Sequence, residues 1–118
     1  MSLDVTLTAI RPTEVYTRNI THNLGRMAAA VYFGVESDIP NLTLYHVLWR
    51  PDEYGFKYAR DIADLLDIGW NILLSDPDTY TRYNPENGWG SYEGLCEFVY
   101  RYRNACWDNP DAEISVCR

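Results

Sequence analysis

The two ends of the chain alternate with a period of two, and the region between them has a helical period. That contrast limits the fold more than any other feature. Leu3, Val5, Leu7 and Ala9 alternate with Asp4, Thr6 and Thr8, the pattern of a strand with one buried face. Arg11-Pro12 is expected to end it, because proline cannot donate to a strand ladder. Ile114 and Val116 alternate with Glu113, Ser115 and Cys117, which predicts a second strand. Two isolated short strands are marginal in water, so they are expected to pair and to pack on helices.

Ile20, Leu24, Met27, Ala28, Val31 and Tyr32 recur at i, i+4, i+7 and i+8, one face of a helix. Thr17 or Asn19 is placed to cap it. The apolar residues 42–49 fit either a helix or a strand. Arg50-Pro51-Asp52-Glu53 reads as a turn into a helix over residues 53–74, with Ala59, Ile62, Ala63, Leu66, Trp70 and Leu73 inward. On its outer face Lys57 precedes Asp61 by four residues and Arg60 precedes Asp64 by four, a spacing that suits ion pairs. Ser75-Asp76-Pro77 starts a short helix over residues 76–82, and residues 84–90 read as a loop. Ser91 caps a last helix whose inner face is Leu95, Phe98, Val99, Tyr102 and Cys106. Asn109-Pro110-Asp111 turns the chain into the final strand. The expected fold is therefore α+β, one domain over residues 1–118, with three to four helices packed on a two-stranded sheet formed by the N- and C-terminal strands.

Length bears on the domain count, since 118 residues suit one ordinary domain. The net charge of −7 argues against direct nucleic-acid binding, which rests on clustered Lys and Arg. Lys57 is the only lysine. The arginines that supply the remaining positive charge make planar, bidentate bonds to carboxylate or phosphate, so a local anion pocket remains compatible with an acidic surface. Cys96, Cys106 and Cys117 form no Cys-x-x-Cys pair, which suits reduced thiols in a cytoplasmic setting. No signal-peptide pattern and no membrane-length apolar run are read. The sequons at Asn19 and Asn41 carry no weight in an unsecreted chain.

Two polar–aromatic segments are the main candidates for a site. In Asn19-Ile20-Thr21-His22-Asn23-Leu24, a helix would set Asn19, His22 and Asn23 on one side of its first turn, where free amides favour an anion. In Asn84-Pro85-Glu86-Asn87-Gly88-Trp89-Gly90-Ser91-Tyr92, glycines flank a tryptophan and let the loop place a large ring. Trp89 and Tyr92 suit stacking on a flat ligand, with Asn84 and Asn87 reading its edge. Arg50, beside Trp49, adds a cationic group; the competing reading pairs it with Asp52 or Glu53. The expected site is Asn19, His22, Asn23, Arg50, Asn84, Asn87, Trp89 and Tyr92. No cofactor, no metal set and no catalytic constellation is read, since His22 and His46 are the only histidines and lack zinc spacing. Cys96 and Cys106 fit the last helix as inert packing.

The segments quoted above, with Ser2-Leu3-Asp4-Val5, Glu14-Val15-Tyr16, residues 48–53 and Asn109-Pro110-Asp111-Ala112-Glu113, make the chain resemble a group of small uncharacterised proteins of bacteriophages and bacteria. The resemblance implies a phage or prokaryotic cytosolic setting and an anti-defence role, and transfers no catalytic residue. The leading expectation is a non-catalytic protein holding a small polar or anionic, nucleotide-like molecule. A second is an acidic inhibitor or nucleic-acid mimic presenting Asp61, Asp64 and Asp67 to a host protein. A third is a small enzyme using His22 as a general base.

Overall fold

The computed structural model describes residues 1–9 and 13–118, so the expected stop at Arg11-Pro12 lies outside the described residues. The elements run β1 (Ser2–Thr8), β2 (Glu14–Thr21), α1 (Gly25–Ala29), α2 (Leu44–Trp49), α3 (Ala59–Ser75), α4 (Pro77–Thr81), α5 (Tyr92–Asp108) and β3 (Glu113–Cys117). Short 3-10 turns precede α1 and α3 and a third follows α1. The strands form one antiparallel sheet in the order β2-β1-β3. The two terminal strands do pair, with Val5 opposite Val116, but the expected two-stranded sheet is corrected to three strands, with five α-helices among the described residues.

The missed strand is β2. Its register sets Ile20 opposite Leu3, Arg18 opposite Val5 and Tyr16 opposite Leu7. Arg18 interrupts the apolar alternation because β2 is an edge strand, half open to water, and a register shift between Leu7 and Thr8 breaks it again before Tyr16, so the periodic signal is lost. Ile20 misled the helical count: it is buried from the strand, while Leu24, Met27 and Ala28 are buried after the turn. The expected cap at Thr17 or Asn19 fails for the same reason. Thr21 takes that role, its hydroxyl accepting from the Asn23 amide at 3.3 Å. The helix stops at Ala29, and Tyr32 forms an isolated bridge with Thr43. Of residues 42–49, Leu44–Trp49 form a helix, α2, whose Leu44, Val47, Leu48 and Trp49 are buried.

β1 is the middle strand, and Leu3, Val5 and Leu7 are fully buried. α5 lies under the sheet, with Tyr102 stacked on Tyr16 at 5.9 Å. Its expected inner face, Leu95 through Cys106, is buried as read. Ser91 caps it, accepting from the Gly94 amide at 3.0 Å. Asp76 likewise caps α4, accepting from the Thr79 amide at 3.3 Å.

α3 is shorter than expected because its start is tied to β3. The Ala59 amide donates to the Ala112 carbonyl at 2.8 Å, and the Ile114 amide to the Lys57 carbonyl at 2.8 Å. Asp61 is spent on the cap, accepting from the Lys57 and Tyr58 amides at 3.0 and 2.8 Å. The expected i, i+4 ion pairs therefore do not form. Lys57 lies 3.9 Å from Glu113 and Arg60 2.9 Å from Asp111, both at the β3 end of the molecule.

One cation lies between the two long helices. Arg103 is buried and donates to Asp67 at 2.8 Å. Its guanidinium sits over the rings of Trp70, Tyr100 and Trp107 at 4.7, 4.9 and 4.4 Å. The rings favour the charge through their quadrupoles, and Asp67 neutralises it. Asp67→Ala leaves a buried guanidinium without its counter-charge, and is expected to cost about 2 kcal/mol in urea unfolding.

Candidate functional site

The two polar segments do meet. Thr21 ends β2, and the 3-10 turn His22–Leu24 swings the chain against the start of α5. There Gly90, at φ +107°, packs so closely that a Cβ would lie 2.8 Å from Thr21 Cγ2 and 2.9 Å from Leu24 Cγ. The Asn23 side chain donates to the Trp89 carbonyl at 3.4 Å. No helix carries Asn19 and Asn23 on a common side, because Asn19 belongs to β2, opposite Asp4.

Several of the expected ligand residues hold the loop itself. Asn84 accepts from the Tyr92 amide at 2.8 Å and Asn87 from the Trp89 amide at 3.0 Å. The Tyr92 hydroxyl donates to the Leu73 carbonyl at 2.6 Å. Burial, helped by the Cys96 thiol, pushes its pKa up to about 12, so it stays a neutral donor. Trp89 is 71% exposed; it neither pins the loop nor walls a cavity.

Two clefts flank the junction. One, about 330 Å³, runs between β2 and the start of α5, with Asn19, Thr21, Gly90, Ser91 and Glu97 among its walls. The other, about 440 Å³, is lined by His22, Tyr45, Trp49, Arg50 and Arg118. Of the eight expected residues, His22 and Arg50 share this second cleft, Asn19 lines the first, and Asn23 ties the segments together. A larger groove of about 610 Å³ follows β3 past Pro51 and Phe56 and shares Arg118. Its lining is mainly apolar side chains with the Asp52–Arg118 pair, so volume alone does not make it the site.

The second cleft concentrates the distinctive chemistry. α2 presents Tyr45 and Trp49 one turn apart, their rings stacked at 5.3 Å and 12°. The His22 ring lies 6.1 Å from Trp49, and its Nε2 is buried without a hydrogen-bond partner among the described residues. Buried polar atoms nearly always find partners, but this one has no open surface toward the cleft, and the hydroxyls of Tyr16 and Tyr102 are buried without a partner as well. His46 differs: its Nδ1 accepts from the Thr43 amide at 3.0 Å, closing the cap of α2.

Two guanidinium groups complete the cleft. Arg50 donates to Glu53 at 3.1 Å, and the Tyr45 hydroxyl beside it raises its pKa. Arg118 donates to Asp52 at 2.7 and 3.1 Å and to the Trp49 carbonyl at 3.3 Å. Its hydrogen bonds hold the Asp52 carboxyl below the usual range. The competing reading of Arg50 as half of a local ion pair is therefore right. A guanidinium has five N–H groups, and both arginines retain donors after these bonds.

Tyr45 and Arg118 were not among the expected residues. Tyr45 and Trp49 are i, i+4, a signal readable only once residues 42–49 are a helix. Arg118 reaches the site through the β1–β3 pairing and has no local signal. Elsewhere, Cys96 and Cys106 are buried and burial pushes the Cys106 thiol up to about 12, so neither is an activated thiolate. Of the three helix aspartates, Asp61 caps α3 and Asp67 holds Arg103, leaving Asp64 as the exposed carboxylate without such a bond. Among the described residues, no group of three His, Cys, Asp or Glu could hold a metal ion, and no helix is long and apolar enough to cross a membrane.

No family model, curated protein or solved structure matches the chain.

The junction makes a contrast between neighbouring glycines. Gly90→Ala forces a methyl into Thr21 and Leu24 at a left-handed φ, and is expected to destabilise by about 3 kcal/mol. Gly88, at φ +75°, has open space around it, so Gly88→Ala should cost only about 1 kcal/mol. Equilibrium urea unfolding of both variants measures the difference.

Proposed function

We propose that the protein is a non-catalytic binding protein for a small anionic molecule that carries a flat ring, held in the cleft of His22, Tyr45, Trp49, Arg50 and Arg118. The observation that carries this reading is the cleft that sets the Arg50 and Arg118 guanidinium groups beside the Tyr45 and Trp49 rings and His22. The anion takes the remaining N–H donors of Arg50 and Arg118, whose planar forks suit phosphate or carboxylate. The half-buried Tyr45 ring offers a face for stacking. Glu53 and Asp52 orient the arginines and weaken their net pull, which favours a ligand with more than one negative charge.

Binding without turnover is favoured because general acid–base work needs a positioned proton partner, and His22 is packed beside an indole instead. The resemblance to phage and bacterial proteins supplies a context in which holding such a molecule has a use: sequestration of a nucleotide signal of host defence.

The test is calorimetric titration and thermal shift with pyrophosphate, nucleoside monophosphates and cyclic oligonucleotides. At least one is expected to bind, and Arg50→Ala and Arg118→Ala should each weaken binding about tenfold or more, the loss of one charge-assisted contact. Trp89→Ala should leave it unchanged. No binding across the set, or binding indifferent to both arginine variants, would overturn the reading.

A further inference from the structure

β2 is a free sheet edge. The His22 amide donates to the Met1 carbonyl, so the register of β1 and β2 turns the backbone groups of Arg18 and Ile20 toward β1. Those of Thr17 and Asn19 point away from the sheet. Residues 14–21 contain no proline, and such an edge is a template for another strand. The neighbouring surface is charged: Arg18 lies 3.8 Å from Glu97, and Arg101 lies 2.9 Å from the same carboxylate.

We propose that β2 pairs with β2 of a second copy of this chain, antiparallel about a two-fold axis at Thr17, joining the two sheets into one. Three antiparallel registers keep Thr17 and Asn19 hydrogen-bonded across the edge. Centring on Arg18 sets that arginine opposite itself, a like-charge clash. Centring on Asn19 leaves residues 14–16 of β2 unpaired. Centring on Thr17 uses nearly the whole strand and sets Arg18 opposite Tyr16 of the second copy, a cation facing a ring.

The helix below meets the same axis. Tyr16 stacks on Tyr102, Arg18 reaches Glu97 and Thr21 meets Gly90, so α5 runs antiparallel to β2. An axis beside Thr17, just outside the β2 edge, then passes α5 at the level between Glu97 and Arg101. The second copy's helix runs the opposite way across it, so Glu97 of each faces Arg101 of the other. One operator thus satisfies both the strand register and the helix charges, as an isologous interface requires. A foreign peptide would meet the same backbone edge without this helix match.

Sedimentation velocity and light scattering at high micromolar concentration test it. The native protein is expected to be a dimer. Thr17→Pro removes an outward amide and spares the β1 ladder, so it should give folded monomer. Glu97→Arg alone sets an arginine against the second copy's Arg101 at each of the two symmetric contacts and should weaken association about tenfold or more. Glu97→Arg with Arg101→Glu restores complementarity and should restore the dimer. If Thr17→Pro fails to fold, the charge swap decides. A monomeric native protein, a dimer that survives in folded Thr17→Pro, or a double swap no tighter than the single change would overturn the proposal.

Discussion

Everything else in this fold depends on the pairing of β1 on both its edges. Leu3, Val5 and Leu7 are fully buried, β2 and β3 bond its two sides, and α5 closes the inner face. A central strand made from the first residues draws distant parts of the chain together. It sets β3 beside the start of α3, where backbone bonds from Ala59 and Ile114 lock the two. It also brings Arg118 next to α2, and β2 against the start of α5. Both clefts are by-products of this one constraint.

That long-range character decides how much could be read from the sequence. Local signals are reliable: β1 and β3 by alternation, Ser91 as a cap, a short helix after Ser75-Asp76-Pro77, the inner face of α5 residue by residue. Each depends on groups within a turn or two of one another. β2 is obscured because Arg18, opposite Val5, breaks its inner face, a residue tolerated there at an edge, and because the register shifts before Tyr16. Its Val15, Thr17, Ile20 and Thr21 do carry strand propensity, but Ile20 also fits the helical spacing of Leu24, Met27 and Ala28. The charge pairs expected on α3 failed for a related reason. Propensity rules treat a helix as isolated, whereas here Lys57 and Arg60 have better partners in Glu113 and Asp111, brought close by β3 and the turn before it.

The candidate site was legible as a neighbourhood and not as a cavity. Residues 19–24 and 84–92 do converge, but through tight packing at Gly90 and the Asn23–Trp89 bond, which fill the space between them. His22 and Arg50 fall on the far side of that junction with Tyr45, Trp49 and Arg118. The asparagines that looked like ligand readers are turn builders, a role that suits their short amide side chains. An acidic protein with an arginine-lined cleft is not a contradiction, since Asp52 and Glu53 hold the guanidinium groups in place while neutralising them. Selectivity would then come from geometry more than from net charge.

The most direct measurement is the indole N–H region of a nitrogen-labelled sample during titration with pyrophosphate and adenosine monophosphate. The four tryptophans are assigned by single replacement with phenylalanine. The account predicts that the Trp49 resonance moves with ligand while Trp89, on its exposed loop, stays in place. Movement of Trp89 with Trp49 unchanged, or movement of neither, would contradict it.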